Sequence, residues 1–134
     1  MKPILIFLIL FSTNSCSQNN QIIKIEYKAT TRGAFKFVSV SKNECRSDFL
    51  NKKSAYKTPK KDWDVILNLL DQININEIEN LDRPSEISST DRAMAASILI
   101  TFKNKTIESS FFDDGNPPKE LKKIVAKLLS LVSE

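Results

Sequence analysis

Residues Ile23–Ala29 read IKIEYKA. Ile23, Ile25, Tyr27 and Ala29 fall on one side and Lys24, Glu26 and Lys28 on the other, the period of a half-buried strand. Turn chemistry follows at Thr30–Gly33, TTRG, which holds one of the two glycines in the protein. Phe35–Val40 resumes as a strand, and Glu44–Leu50 is a weaker third, so the first part reads as an antiparallel meander. Thr58-Pro59 then opens a different pattern. Thr caps and proline is tolerated in a first helical turn, after which Trp63, Ile66, Leu67, Leu70 and Ile73 recur at helical spacing and Asp62, Asp64, Asn68 and Asp71 fill the other face. That helix is expected to end near Asn74, with Ile75, Ile78 and Leu81 in an irregular packed segment.

Asp82–Met94, DRPSEISSTDRAM, has no period and reads as a long loop. Ala95–Lys103 and Thr106–Phe112 read as two more strands, with Ile98, Ile100, Phe102, Ile107 and Phe111 directed to the core. DDGNPP, Asp113–Pro118, turns the chain into a last helix with Asn116 as its N-cap. There Leu121, Ile124, Val125, Leu128, Leu129 and Val132 form a stripe against Lys119, Lys122, Lys123 and Lys127. The expected fold is α+β, an antiparallel sheet of about five strands in the order β-β-β-α-β-β-α with two helices packed on one face.

Upstream, Lys2 precedes an apolar run from Ile4 to Phe11 and a polar STNS that leads to Cys16. A positive start, a short apolar stretch and a small-residue cleavage site make the grammar of a secretory signal. The run is too short to span a bilayer, which takes about 20 apolar residues. Cleavage just before Cys16 resembles bacterial lipoprotein processing, in which the thiol receives a diacylglycerol and the freed amine a further acyl chain. Ser15 supplies the small residue; Asn14 and the displaced Phe11 fit the usual box loosely. The expected organisation is a signal peptide at 1–15, the lipidated Cys16 and a short tether at 16–21, and one domain at 22–134. Five extended tether residues reach roughly 17 Å, so the domain sits close to the membrane. The competing account joins Cys16 to Cys45 as a disulfide.

The box, the first strand with Tyr27, TTRGAF, the Trp63 helix, ININEIENLDRPSE, the FKNKT hairpin and FFDDGNPPKELKKIV together resemble a group of small uncharacterised lipoproteins of Bacteroidota. The resemblance covers essentially the whole chain after the signal. It implies an envelope address and an α+β domain and carries no catalytic residue.

Histidine is absent from the sequence. That removes Ser-His-Asp and Cys-His arrangements and the usual zinc ligand. Cys45 lacks an accompanying base and reads as a buried small hydrophobe. Asp113 and Asp114 are the strongest carboxylate pair and the weak metal candidates, although DDGNPP also serves as a turn and misses calcium-loop spacing. With Gly33 and Gly115 as the two glycines, no phosphate-cradling loop can be written. No cofactor is expected.

Charge is uneven along the chain. Ile22–Lys61 holds 11 Lys/Arg against 3 Asp/Glu, whereas Asp62–Ala93 holds 2 against 8. Lys24, Lys28 and Lys36 with Arg32 are expected to make a basic outer sheet face. Nucleic acid is not an expected partner, because no basic and aromatic interleaving matches a known motif. The expected activity is that of a non-enzymatic binding or accessory module for an envelope protein or glycan, on the periplasmic face of the outer membrane. Arg32, Arg83, Asp91 and Arg92 are the candidate partner surface, being polar, unpatterned and not needed by a core. The alternatives are an inhibitor of a secreted hydrolase, using the long loop, and a small cation-dependent hydrolase using Asp113 and Asp114.

Overall fold

A computed structural model describes residues 22–90 and 92–132; the expected signal peptide, Cys16, the tether and Asp91 lie outside the described residues. Over the described residues the chain is α+β, with an antiparallel sheet and two α-helices. Strands β1 (Ile22–Thr31), β2 (Ala34–Ser41), β3 (Cys45–Phe49) and β4 (Lys52–Tyr56) precede helix α1 (Lys60–Asp71). Strands β5 (Ala95–Phe102), β6 (Thr106–Glu108) and β7 (Phe112–Asp113) precede helix α2 (Lys122–Ser130). The sheet runs β4-β3-β2-β1-β5-β6, and β7 also pairs with β5. It therefore has seven strands rather than about five, and the element order differs from the expected one.

The first extra strand is β4. Its residues, KKSAY, are all exposed, so no apolar alternation marks them. It is an edge strand, where lysines discourage pairing with another chain. The connection from β3 is a two-residue hairpin in which Leu50 and Asn51 both have positive φ, 50° and 71°. Such a turn suits the twist of a hairpin but favours Asn and Gly, and Leu50-Asn51 gives little sign of it.

The second extra strand comes from a break. Leu99 pairs with Glu108 and Ala96 with Phe112, so three residues, Ser109–Phe111, stand opposite two, Ser97 and Ile98. The ladder stays satisfied locally: Ser109 N–H donates to the Ile98 carbonyl at 2.8 Å, the Ile98 N–H donates to Ser109 Oγ at 3.0 Å, and Ser110 N–H donates to the Ile78 carbonyl at 2.8 Å. A slip of one residue sends every later side chain to the other face. Phe112 is fully buried while Phe111, expected in the core, is 54% exposed. A second irregularity lies at the start of β1, where Ile22 pairs with Phe102 and Lys24 with Thr101. Ile23 is the unpaired residue between them and is 49% exposed, and Ile22 packs on the core in its place.

On the inner face Ile25, Tyr27 and Ala29 of β1, Val38 and Val40 of β2, and Ala96, Ile98 and Ile100 of β5 are fully buried. The same cluster contains Trp63, Ile66 and Leu70 of α1 and Leu121, Ile124, Val125 and Leu128 of α2, so both helices cover that face. Full burial of each large aliphatic side chain contributes about 1.5–3 kcal/mol. Asp62 and Lys127 join the helices by a half-buried ion pair of 2.6 Å. Cys45 lies in this core, where burial raises its thiol pKa, opposed by a smaller effect of Tyr56.

Neither expected helix cap is formed. Pro59 occupies the N-cap position of α1, and the hydroxyl of Thr58 is buried without a hydrogen-bond partner. Helix α2 starts at Lys122, after a turn closed by Leu121 N–H to the Pro118 carbonyl. Asn116 instead donates to Ser85 Oγ at 2.9 Å.

Leu50 is 61% exposed, so replacing it loses little burial, while a left-handed conformation costs an ordinary residue about 1–2 kcal/mol. Leu50→Asn is expected to stabilise the domain by up to about 1 kcal/mol. The check is the urea midpoint at unchanged slope; an unchanged or lowered midpoint counts against a strained turn.

Candidate functional site

The antiparallel registry gathers scattered residues at one end of the sheet. Thr30 pairs with Ala95, Thr31 with Ala34, and the Asp114 N–H donates to the Met94 carbonyl at 2.8 Å. The β1–β2 turn with Arg32, the entry to β5 with Arg92, and the turn after β7 therefore lie together. Gly115, at φ 89°, closes the last of these, with Asn116 N–H donating to the Asp113 carbonyl at 2.8 Å.

Neighbouring residues of a strand point to opposite faces, and the bulge determines which carboxylate goes where. Asp113 shares its row with Ala95, on the face opposite the buried Ala96. It is 1% exposed and sits under the long loop. Ser85 Oγ donates to it; the Ile87 and Ser88 N–H groups donate at 2.8 Å each. Arg83 lies 3.5 Å from the same carboxylate and donates to Ser88 Oγ at 2.8 Å. Hydrogen bonds from the side chains of Ser85 and Ser88, helped by the two backbone donors, hold the Asp113 pKa far below the usual carboxylate range against the opposing effect of burial. The stretch that reads as a long loop is thus clamped, with a 3-10 turn over Ile87–Thr90 and the Ile87 side chain outward.

Asp114 turns to the other face, where Tyr27 Oη and Lys36 Nζ both donate to it. Tyr27 is fully buried, and burial first, then the bond to Asp114, drives its phenol pKa far above the usual value. Lys36 shares a row with Ala29, Ala96 and Phe112. Two alanines in that row leave room over the sheet for long side chains to converge. Lys36, expected on the basic outer face, belongs by registry to the helix-covered face with Val38 and Val40; Lys24 and Lys28 stay outside.

Of the candidate partner residues, Arg32 and Arg92 are exposed at this end, Arg83 is drawn into the clamp, and Asp91 lies outside the described residues. The adjacent carboxylates of Asp113 and Asp114 diverge, and each is engaged by donors from the protein. Among the described residues no three His, Cys, Asp or Glu side chains are grouped as metal ligands. The arrangement is suited to fixing a loop and pinning three strands. Ser85 and Ser88 carry no sequence signal for this role, Tyr27 reads only as a core residue, and Lys36 is expected on the outer face although it stands at an inward position of the alternating β2.

Comparison with protein-family models, with curated proteins and with solved structures finds no match.

Two outcomes follow from this geometry. A carboxyl group whose folded pKa is depressed contributes stability above its unfolded pKa, near 3.8 here, and that contribution is lost as pH falls through the folded value. Asp113→Asn is expected to be less stable at neutral pH and to lose less on acidification below about pH 4; parallel acid limbs in chemical denaturation would contradict the clamp. At the other carboxylate, Asp114→Ala leaves the buried Tyr27 hydroxyl without its acceptor and is expected to cost about 1–3 kcal/mol. Tyr27→Phe keeps the Lys36–Asp114 pair and is expected to cost less, about 0.5–1.5 kcal/mol. Equal losses by urea denaturation would argue against Asp114 as the hub.

Proposed function

We propose that this chain is an envelope lipoprotein, anchored by lipid on Cys16, that serves as a non-enzymatic binding or accessory module on the periplasmic side of the outer membrane. The observation that carries the reading is the order Lys2, apolar Ile4–Phe11, Ser15-Cys16 directly ahead of a strand-forming domain. One structural feature supports it. Cys45, the other cysteine of the sequence, lies fully buried on the inner face between Val40 and Tyr56 in registry, a poor position for a disulfide.

The partner surface in this reading is the sheet end that carries Arg32 and Arg92. It is the end opposite Ile22, where the chain enters the domain. An anchor at Cys16 therefore presents these arginines away from the membrane, toward an envelope protein or glycan. The clamp at Asp113 gives that end a fixed loop, which lowers the ordering cost of binding.

The test is intact-mass analysis of protein extracted from the membrane fraction of its own host, beside a Cys16→Ser variant. The expected result is a chain that starts at Cys16 and carries acyl chains, with the variant left unprocessed. A soluble, unlipidated chain two hydrogens light would overturn the anchor and indicate a disulfide between Cys16 and Cys45.

A further inference from the structure

The end of the sheet where the chain enters collects lysines from separate connections. Lys24 pairs with Ser41, Val40 with Cys45, Cys45 with Tyr56, and Ile22 with Phe102. The β2–β3 turn, the β4–α1 link and the β5–β6 turn therefore surround Ile22. They contribute Lys42, then Lys57 with Lys60 and Lys61 of the first turn of α1, then Lys103 and Lys105, all exposed. Lys60 is paired with Asp64 at 2.6 Å, and Lys105 lies 5.3 Å from the centre of the Phe102 ring. Lys42, Lys57, Lys61 and Lys103 make no ion pair among the described residues.

The nearby acids are engaged elsewhere: Glu44 with Arg46 at 2.7 Å and Asp62 with Lys127 at 2.6 Å. At the opposite end Arg32, Arg83 and Arg92 stand beside Asp82, Glu86 and the Asp113–Asp114 pair, so charge there is mixed. The end with unpaired lysines is the one where residues 1–21 join the domain. Between Lys42, Lys57 and Lys60 runs an open groove of about 640 Å³ with Ile22, Trp63 and Leu67 in its walls. Ile23, expelled by the irregularity in β1, is exposed beside the same entry.

We infer that this end of the domain is a docking face for the surface of an anionic phospholipid bilayer. Lysines spread over three connections match a planar array of negative charge, and their attraction acts within a Debye length of about 8–10 Å. The groove has Ile22, Trp63 and Leu67 in its wall and Lys42, Lys57 and Lys60 at its rim, and its one carboxylate, Asp64, is neutralised by Lys60; that leaves Lys42 and Lys57 for a lipid phosphate and apolar surface for its adjoining glycerol. The inference rests on the anchored reading for its orientation: lipid on Cys16, about five residues before Ile22, brings this end toward the bilayer.

The experiment measures partition of the full chain between buffer and vesicles of neutral phosphatidylcholine, and of phosphatidylcholine mixed with phosphatidylglycerol. The ratio of the two partition coefficients is the readout. An acyl chain or the apolar leader contributes to both vesicles and divides out, so failure of the docking face is read apart from failure of the anchor, which the mass of the chain reports. Adding inorganic phosphate or soluble glycerophosphate separates bilayer binding from capture of a free phosphate.

A ratio well above one is expected, falling with salt. Lys42→Glu with Lys57→Glu, Lys103→Glu and Lys105→Glu should lower it at least about tenfold. Lys52→Glu with Lys119→Glu, Lys122→Glu and Lys123→Glu makes the same charge change at the far end and should leave it within about twofold. Circular dichroism confirms that both variants are folded. A ratio near one, an equal fall in both variants, or displacement by low concentrations of soluble phosphate would overturn the docking face.

Discussion

One extra residue between β6 and β7 determines what the second half of this protein can be. With Ile107 directed inward opposite Ile100, a regular strand would carry Phe111 and Asp113 inward. Three residues set against two reverse that order. Phe112 enters the core beside Tyr27, with ring centres 6.4 Å apart. Asp113 goes out to the long loop, and Asp114 turns in to Tyr27 and Lys36. Both carboxylates are withdrawn from water, and each is matched by donors on its own face: Ser85, Ile87 and Ser88 for Asp113, Tyr27 and Lys36 for Asp114. The serines at the bulge keep its backbone and hydroxyl groups bonded, so the irregularity costs few hydrogen bonds.

The two carboxylates then do different structural work with the same chemistry. Asp113 collects donors from three residues within one short segment, Ser85–Ser88, and so converts a stretch without apolar period into a defined loop. Asp114 collects donors from β1 and β2, and ties the β7 end of the sheet to its centre. Neither depends on the helices, which lie over the remainder of the inner face. The domain therefore has two supports: a hydrophobic one under α1 and α2, and a polar one at the end that carries Arg32 and Arg92.

The lysine-rich end follows from the connections rather than from the strands themselves. The strands contribute mixed charges that pair across or along them, such as Lys24 with Glu26 at 3.1 Å and Lys53 with Asp48 at 3.7 Å. The turns at the chain-entry end are rich in lysine, and those at the other end hold the clamp. Reading charge by position in the sequence shows a basic first part and an acidic second part. Folding redistributes this into a lysine-rich end and a clamped end of mixed charge, because hairpins return residues distant in sequence to the same end.

The alternation IKIEYKA, the helical spacing of Trp63, Ile66 and Leu70, and the stripe of α2 determined the α+β class, the antiparallel pairing and most of the core, since burial of one face imposes a period on each element. The Asp113-Asp114 pair was also visible as a chemical feature. Tertiary structure decided what periodicity does not carry. Strand β4 has no buried face and so leaves no pattern; its turn is a backbone conformation that Leu50-Asn51 barely signals. The bulge is a matter of registry with β5, and registry exists only when two strands pair. Hence the exchange of Phe111 for Phe112, the burial of Asp113 and the inward reach of Lys36 were settled by pairing between strands far apart in the chain, where a shift of one residue reverses every side chain that follows.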